Sequence, residues 1–300
     1  MTHFALKILA VILMTADHMG EELTGFPLWL RYIGRLASPV FMFCAAESMV
    51  HTHDRKNYLK RLITANAVTV AAFQIVPAFL EVYFGLSVKS TSTNIFNTIF
   101  NGALLVYLAE ETEGKCRNRH IMLYIAYQLA LIIADVLLSG VGNVYNVPIL
   151  EDWQSILLSL LCCIGAADGG FQAALLIPLL YFCRGDKRKI AVRYALYCAA
   201  FFLLTVPQLP IRLFGYLEVR GVPNIVIQIM SVPFGLFHIP TLRWSAAADF
   251  TQSLFNVNYQ WMMIFALPVI LAYNGEKGSC GRNQGRFFTY TIRCIYFCLG

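Results

Sequence analysis

The sequence predicts an all-α integral membrane protein, a polytopic bundle of about nine to eleven transmembrane helices. Of its 300 residues, 58% are hydrophobic and only 13% are charged, against about 25% charged residues in an ordinary soluble domain. Mean hydropathy is +0.61. A soluble core cannot bury so much apolar side chain, because single cores stop growing near ~250–300 residues. These observations exclude a soluble globular enzyme, and the many aromatic residues exclude a disordered chain.

Apolar segments of membrane-spanning length recur along the chain, without the period-2 alternation of β-barrel strands. The first carries Lys7 within it and ends in Asp17-His18, unlike a cleaved signal peptide. The predicted spans are 4–20, 28–50, 60–82, 94–109, 120–139, 152–167, 170–183, 191–206, 223–240 and 258–273, followed by an apolar tail at 287–300. We expect a single transmembrane domain over residues 1–300.

The loops between these spans divide by charge. Lys and Arg concentrate in 51–61, 115–119, 184–193 and 277–286, whereas 21–27, 81–89 and 140–152 are neutral or acidic. The positive-inside rule therefore places the basic loops and the N-terminus in the cytoplasm, and the protein in the cell membrane. The net charge of +6 then requires no nucleic-acid partner.

One stretch conflicts with this orientation. The loops 140–151 and 184–193 should lie on opposite sides, yet two short spans surround the break at Asp168-Gly-Gly170. One of these spans is then re-entrant or interfacial. The break is either an ordinary turn or part of a cavity, because irregular backbone at membrane depth must be buried in protein or line water.

The nine cysteines are scattered, and no CxxC pair or neighbouring His cluster accompanies them. We interpret them as small hydrophobic residues and predict neither a metal site nor a disulfide.

Ionisable residues concentrate in the first two spans, where each costs ~2.5–3.5 kcal/mol unless it is paired. Asp17 and His18 lie near the outer end of the first span. Arg31 and Arg35, four residues apart, form one basic stripe on the second, and Glu47 lies near its cytoplasmic end. We expect the first helix to pack on the second, with His18 or Asp17 facing Arg31 or Arg35 across a polar cavity.

Two interpretations of this group remain open. In the first, Asp17 forms a neutralised structural bridge to an arginine, and His18 is a hydrogen-bonded core histidine. In the second, these side chains line a shared cavity. A His–acid pair there provides a general base toward an amine or hydroxyl, and arginines recognise carboxylate or phosphate.

The cytoplasmic loop 51–61 contains His51, His53, Lys60 and Arg61. It is either a solvated loop that touches anionic lipid headgroups or a binding surface for a polyphosphate donor. No P-loop, GxGxxG or HExxH motif is present, so nucleotide hydrolysis and zinc-protease chemistry have no support in the sequence.

Ordered motifs occupy the first 65 residues. They are Lys7-Ile-Leu-Ala, Met14-Thr-Ala-Asp-His-Met-Gly20, Trp29-Leu-Arg-Tyr-Ile-Gly-Arg-Leu-Ala-Ser-Pro-Val-Phe-Met-Phe43, Glu47, His51-Thr52 and Tyr58-Leu-Lys-Arg-Leu62. In order and spacing they resemble the TraX family of membrane acetylases. A weaker match to the family follows at Tyr273-Asn-Gly-Glu-Lys-Gly278, while residues 80–260 resemble the family only in hydropathy.

The resemblance implies a membrane-embedded acyltransferase that moves an acetyl group from acetyl-CoA to an amine or hydroxyl. The founding member of the family acetylates the N-terminal amine of a conjugative pilin. The implied partners here are the lipid bilayer, acyl-CoA and a pilin-like peptide, glycan or lipid as acceptor. The implied catalytic residues are His18 as base or acyl relay, Asp17 as its orienting acid and Arg35 as a cavity cation. The implied substrate- or donor-binding residues are Arg31, Glu47, His51 and Arg61.

The tail departs from the family pattern. Family members continue with F-Y-x-x-Y-P-x-H-L, whereas residues 287–300 contain neither Pro nor His. We expect this tail to be truncated or frameshifted, and the protein to be weakly active or inactive. A transporter or flippase, in which the polar set relays protons or binds an anion, and an inactive membrane scaffold are the alternatives.

Overall fold

In a computed structural model the protein is α-helical, with short 3₁₀- and π-helical turns. The structure describes residues 1–22, 25–85, 94–111, 114–145, 148–237, 239, 241, 247, 249–276 and 278. Within these ranges there is no β-strand, and one isolated parallel bridge joins Asn94 to Ala167. The predicted all-α class is confirmed. The predictions for the tail 287–300 lie outside the described residues.

Most helices overlap the predicted spans, whereas the helix Leu209–Val219 lies where the sequence predicts no span. The helices are labelled here in chain order. They are α1 (His3–Glu22), α2 (Trp29–Gly34), α3 (Ala37–His51), α4 (Arg55–Val70), α5 (Val76–Phe84), α6 (Ile95–Glu111), α7 (Gly114–Tyr145), α8 (Pro148–Leu160), α9 (Gly170–Tyr181), α10 (Lys187–Thr205), α11 (Leu209–Val219), α12 (Asn224–Leu236), α13 (Phe250–Gln252) and α14 (Ala266–Leu271). A π-helical turn at Ala71–Ile75 joins α4 to α5. A second π-helical turn, Ser253–Val257, and the 3₁₀-helix Tyr259–Phe265 separate α13 from α14.

Fewer described helices are long and apolar enough to cross a membrane than the nine to eleven that the sequence predicts. Four qualify: His3–Glu21, Trp29–His51, Arg55–Glu81 and Lys187–Val219. A fifth is obtained if Phe250–Val257 and Tyr259–Leu271, bent by 64°, form one span.

The difference arises because several predicted spans fold as short helices. Three apolar helices of 10–17 residues occupy such positions, namely Ile95–Glu110, Gly170–Tyr181 and Asn224–Leu236. At 1.5 Å per residue, the 12 residues of α9 extend only ~18 Å, against a hydrocarbon core of ~30 Å.

Contacts divide the described residues into two compact units. The first unit comprises residues 1–44 and the described residues from 182 onward, and the second comprises 45–181. The boundary falls within an uninterrupted apolar helix, α3, so the sequence offers no linker that would mark it. The extent of the domain, 1–300, stays a prediction.

In the first unit, the start of the chain docks on the Tyr273–Gly278 motif. His3 N–H donates to the carbonyl of Glu276 at 2.8 Å, and Asn274 N–H donates to the carbonyl of Met1 at 3.0 Å. The Tyr273 ring packs edge-on against Phe43, with 5.4 Å between the ring centroids. The motif therefore fixes where α1 begins.

In the second unit, α6 and α9 run side by side in the same direction. The parallel bridge joins Asn94 and Ala167 just before the two helices begin. At their other ends, the Tyr181 hydroxyl donates to Glu110 Oε2 at 2.6 Å. The first residues of α6 and α9 therefore lie side by side, and so do their last residues.

Helix α4 runs in the opposite direction beside them. Arg55 at its start pairs with Glu110 at 2.8 Å, and Asn66 near its end accepts a hydrogen bond from Asn94 at 2.9 Å. Along the span Arg55–Glu81, Asn66 lies ~17 Å from one end and ~22 Å from the other. The first residues of α6 and α9 thus lie beside the middle of this span, and we call this position mid-span.

Buried carboxamides form a layer at mid-span, which we call the amide layer: Asn66, Asn94, Asn97, Asn101 and Gln128, each no more than 6% exposed. The Asn101 Oδ1 accepts from the Tyr124 hydroxyl at 2.8 Å and from Gln128 at 3.1 Å. Other amides donate to backbone carbonyls, namely Asn66 to Ser159 at 2.8 Å, Asn97 to Cys163 at 2.8 Å and Gln128 to Cys162 at 3.2 Å.

These bonds hold the irregular segment between α8 and α9. Cys162 adopts a left-handed backbone conformation, with φ of 53°, which interrupts the helix and frees carbonyls that the amide layer then satisfies. Cys162, Cys163, Ile164 and Ala167 are all buried. The break predicted at Asp168-Gly-Gly170 is present and begins earlier, near Cys162, and these four of its residues are enclosed by protein.

Candidate functional site

A short ion pair between α1 and α2 joins Asp17 to Arg35. Arg35, the residue after α2, donates from Nη2 to both carboxylate oxygens of Asp17, with 2.5 Å to Oδ1. Both side chains are 20% exposed. The predicted packing of the first helix on the second, with Asp17 facing an arginine, is confirmed. The polar cavity expected between them stays a prediction.

Arg31 extends the same cluster along the helix. Its Nε lies 3.8 Å from Asp17 Oδ1, and its Nη2 lies 3.2 Å from Glu21 Oε2. Asp17 and Glu21 are one turn apart on α1, as Arg31 and Arg35 are one turn apart opposite them. Two acids therefore face two arginines in register.

Glycine allows the two helices to approach this closely. A Cβ built on Gly34 would lie 2.7 Å from the Asp17 Cα, and one built on Gly20 would lie 2.9 Å from the Arg31 Cγ. Side chains at either position would separate the helices, so both small residues are part of the site.

Two residues far along the chain complete the cluster. Gln260 Oε1 accepts from Arg35 Nη1 at 3.1 Å. The Tyr259 ring lies against both guanidinium groups, 5.6 Å from the Arg31 Cζ and 5.5 Å from the Arg35 Cζ to its centroid. We call Asp17, Glu21, Arg31, Arg35, Tyr259 and Gln260 the arginine cluster.

The charges of the arginine cluster balance, because two carboxylates oppose two guanidinium groups. Both oxygens of Asp17 are engaged by Arg35. His18 follows Asp17 on α1 and is half-buried. The site therefore presents a histidine beside a neutralised acid, rather than an open cationic pocket.

The other predicted residues lie in the second unit. His51 Nε2 is 3.7 Å from Glu47 Oε2, one turn earlier on α3. Arg61 is exposed on α4 and forms no ion pair within the described part of the chain. Its neighbours Lys56 and Lys60 are likewise exposed. No carboxylate of the described residues pairs with these cations, in contrast to those of the arginine cluster.

A second ion pair, which the sequence did not predict, lies where α4 begins and where α6 and α9 end. Arg55 donates from Nη2 to the Tyr181 hydroxyl at 3.0 Å and pairs with Glu110 at 2.8 Å. Because Tyr181 also donates to Glu110, three side chains from α4, α6 and α9 form a closed triangle.

The basic segment 184–193 is shaped by a helix cap. The Asp186 carboxylate accepts from the backbone N–H groups of Arg188 at 2.9 Å and Lys189 at 3.1 Å. These hydrogen bonds, foremost the one from Lys189, hold the pKa of the Asp186 carboxyl below its usual value. Among the described residues, no group of three His, Cys, Asp or Glu side chains could hold a metal ion.

Comparison with known families gives one decisive match. The family model described as TraX protein matches residues 3–208, more than half of the chain. The chain belongs to the TraX family. The TraX region contains every site residue that the sequence predicted, whereas Tyr259 and Gln260 lie beyond it.

A probable fimbrial assembly protein, FimC of serogroup H1 from Dichelobacter nodosus, is also similar to part of the chain. It is 29% identical over 83 residues, which is 26% of this chain and 34% of that protein. The chain therefore matches only about a third of the relative's length. No solved structure matches the chain.

Proposed function

We propose that this TraX-family protein is a membrane-embedded acyltransferase that transfers an acetyl group from acetyl-CoA to an amine or hydroxyl acceptor. The observation that supports the proposal most directly is the pairing of Asp17 with Arg35 next to His18. That pairing brings two segments of the family match, α1 and the end of α2, into contact in the first unit.

In this scheme His18 is the proton carrier. Acetyl-CoA supplies the acetyl group as a thioester. As the acceptor nitrogen or oxygen bonds to the acetyl carbon, the His18 imidazole takes the proton that the acceptor loses. The carbon–sulfur bond breaks, and the imidazole returns the proton to the departing CoA sulfur. A positioned base of this kind contributes about 10²–10⁴-fold to the rate.

Asp17 and Arg35 act by holding charge in place. Because Arg35 engages both oxygens of Asp17, we propose that it balances this acid rather than binding an anionic substrate. This changes the role expected of Arg35 as an open cavity cation. A charge-balanced site suits an acceptor that reacts as a neutral amine or hydroxyl.

The phosphates of CoA require cations that are not already paired. Lys56, Lys60 and Arg61 meet this requirement, since all three are exposed on α4 and none forms an ion pair within the described residues. We propose that they hold the donor's phosphates, with His51 and Glu47 at the end of α3 beside them in the chain. Contact with anionic lipid headgroups is the competing role.

We further propose a pilus-related polypeptide as the acceptor. Two observations favour it over a glycan or a lipid: membership of the TraX family and the local similarity to a probable fimbrial assembly protein. In this proposal the protein lies in the cell membrane, with its N-terminus and basic loops in the cytoplasm.

The test is transfer of radiolabelled acetyl from acetyl-CoA to membrane proteins of an expressing strain. We expect wild-type membranes to label an acceptor at a low but measurable level, as the departure of residues 287–300 from the family pattern predicts. His18→Ala membranes should lose that labelling at equal protein level. The matched control is His120→Ala, because His120 is an exposed histidine on α7, outside the proposed site. Absence of transfer by the wild-type protein would reject the proposal.

A transporter is the second candidate, and a specific observation favours it. Helices α6 and α9 start together at the amide layer, near the middle of the span Arg55–Glu81, and half-length helices that meet at mid-membrane are typical of secondary transporters. Uptake of labelled amino acids, sugars and organic anions into inverted and right-side-out vesicles tests it. Uptake into vesicles that contain the protein, absent from vesicles that lack it, would favour this candidate.

A further inference from the structure

The segment that carries Tyr259 and Gln260 is a bend held by side-chain hydrogen bonds. The π-helical turn Ser253–Val257 and the 3₁₀-helix Tyr259–Phe265 meet at Asn258, and the helices on either side differ in direction by 64°. Asn258 is buried and donates to Ser253 Oγ at 2.8 Å. Ser253 Oγ in turn donates to the Val206 carbonyl at 2.7 Å. Broken helices of this kind recur at functional sites.

The bend docks on the helix that carries the arginines. Tyr32 donates from its hydroxyl to the Phe255 carbonyl at 2.8 Å, and its ring lies 5.6 Å from that of Tyr259. Tyr32 lies on α2 between Arg31 and Arg35, so this contact brings the bend to the cluster. All of these residues belong to the first unit.

We propose that Tyr259 and Gln260 are positioning residues that hold Arg35 against Asp17, and thereby fix the position of this acid on α1, next in sequence to His18. The proposal rests on the proposed acyl transfer. Gln260 accepts from Nη1 of Arg35, whereas Asp17 accepts from Nη2. Both terminal nitrogens of Arg35 therefore donate hydrogen bonds. The acceptor for Nη2 is an acid on α1, and the acceptor for Nη1 is an amide on the bend.

The Tyr259 ring has a different effect. Arg31 and Arg35 are like charges one turn apart, and their mutual repulsion favours conformations that separate them. A π face in contact with both guanidinium groups attracts each of them. The ring therefore keeps the two side chains together on the side of α2 that faces Asp17.

Paired substitutions test these two roles. Tyr259→Phe keeps the π face and Tyr259→Leu removes it, while Gln260→Met removes the acceptor for Arg35. The matched control is Phe265→Leu, because Phe265 is an exposed aromatic residue of the same 3₁₀-helix.

For acetyl transfer, we expect Tyr259→Leu and Gln260→Met to lower kcat by about 10–100-fold, since misplacement of catalytic groups by about 1 Å has this effect. The KM for acetyl-CoA should stay within about twofold of wild type, because these residues do not bind the donor. Tyr259→Phe and Phe265→Leu should retain most of the wild-type kcat.

A second readout does not depend on activity. Asp17 is treated in membranes with a water-soluble carbodiimide and an amine, and its modification is quantified by mass spectrometry. We expect modification of Asp17 to rise several-fold in Tyr259→Leu and Gln260→Met, because Arg35 no longer covers the carboxylate. Modification of Glu110 reports on general unfolding and should not change.

The outcomes separate the two proposals. If the wild-type protein transfers no acetyl but Asp17 modification follows this pattern, the positioning role stands and the acyltransferase proposal falls. If Tyr259→Leu and Gln260→Met leave both kcat and Asp17 modification unchanged, the positioning role is overturned. It is also overturned if Tyr259→Phe loses as much as Tyr259→Leu, since the hydroxyl and not the ring would then act.

Discussion

Gly34 packs directly against the backbone of Asp17, with a virtual Cβ on the glycine only 2.7 Å from the Asp17 Cα. The acid that pairs with Arg35 therefore also lies where α1 and α2 approach each other very closely. Packing and charge pairing at this position depend on the same interhelical distance.

We expect Gly34→Ala to destabilise the protein by about 1–3 kcal/mol, the usual cost of forcing a methyl group into a filled contact. The added methyl also moves Asp17 away from Arg35, so acetyl transfer should fall. Thermal unfolding in detergent measures the first effect. Gly235→Ala is the control, because no atom lies within 4 Å of a Cβ built there. Equal stability of the two variants would contradict the packing described here.

The Asp17–Arg35 pair should show strong energetic coupling. Asp17→Asn or Arg35→Gln alone leaves a charge uncompensated, whereas the double variant removes both. A double-mutant cycle should therefore give a coupling energy of about 1–3 kcal/mol. The exposed pair Asp186–Lys189, at 3.4 Å, should couple by less than about 1 kcal/mol. Similar values for the two pairs would argue against a special role for Asp17.

Activity should depend more on His18 than on Asp17. His18→Ala removes the proton carrier, so transfer should fall by about 10²–10⁴-fold. Asp17→Asn keeps the shape of the side chain and should cost less, if the acid only orients its neighbour. Initial rates with radiolabelled acetyl-CoA provide the comparison. Near wild-type rates for His18→Ala would remove the central role assigned to it.

The amide layer should be highly sensitive to loss of one acceptor. Asn101→Leu leaves the Tyr124 hydroxyl and a Gln128 N–H without their shared acceptor. Each such buried donor costs about 1–3 kcal/mol, and the melting temperature in detergent should fall accordingly. Asn118→Leu, at an exposed position of α7, should have little effect. A stable Asn101→Leu protein would show that the layer contributes nothing to folding.

Cysteine accessibility tests the orientation in the membrane. In a background with the exposed Cys116 and also Cys280, Cys294 and Cys298 replaced by Ala, Lys189→Cys should react with an impermeant maleimide only after the cells are permeabilised. Glu81→Cys should react in intact cells. Both positions are exposed. Labelling of Lys189→Cys from outside would reverse the topology that the loop charges predict.

The contrast between Asp17 and Gln260 explains what the sequence could predict. An ionisable residue in an apolar span needs a partner, so the amino-acid sequence alone identifies Asp17, Arg31 and Arg35 as candidates. Gln260 lies 225 residues from Arg35 in the sequence. It lies on a bend of π- and 3₁₀-helical turns, which the hydrophobic periodicity of the sequence does not predict. A neutral amide at such a place carries no electrostatic signal in the sequence.

The amide layer is partly visible in the sequence. Asn66, Asn97, Asn101 and Gln128 all lie within predicted apolar spans, and uncharged polar residues in such positions also need partners. Their partners are mainly carbonyls released where Cys162 leaves the helical conformation. That break depends on tertiary packing, so the sequence shows the amides but does not predict their role.

The Asp17–Arg35 pair also bears on how the protein is made. A ribosome delivers α1 to the membrane before the span Trp29–His51. Alone, each would carry uncompensated charges into lipid, two acids in one and two arginines in the other, at a cost of ~2.5–3.5 kcal/mol per charge. Paired, these charges cancel. We therefore expect the first two helices to leave the translocon together as a hairpin, with Asp17→Leu allowing α1 to be released on its own.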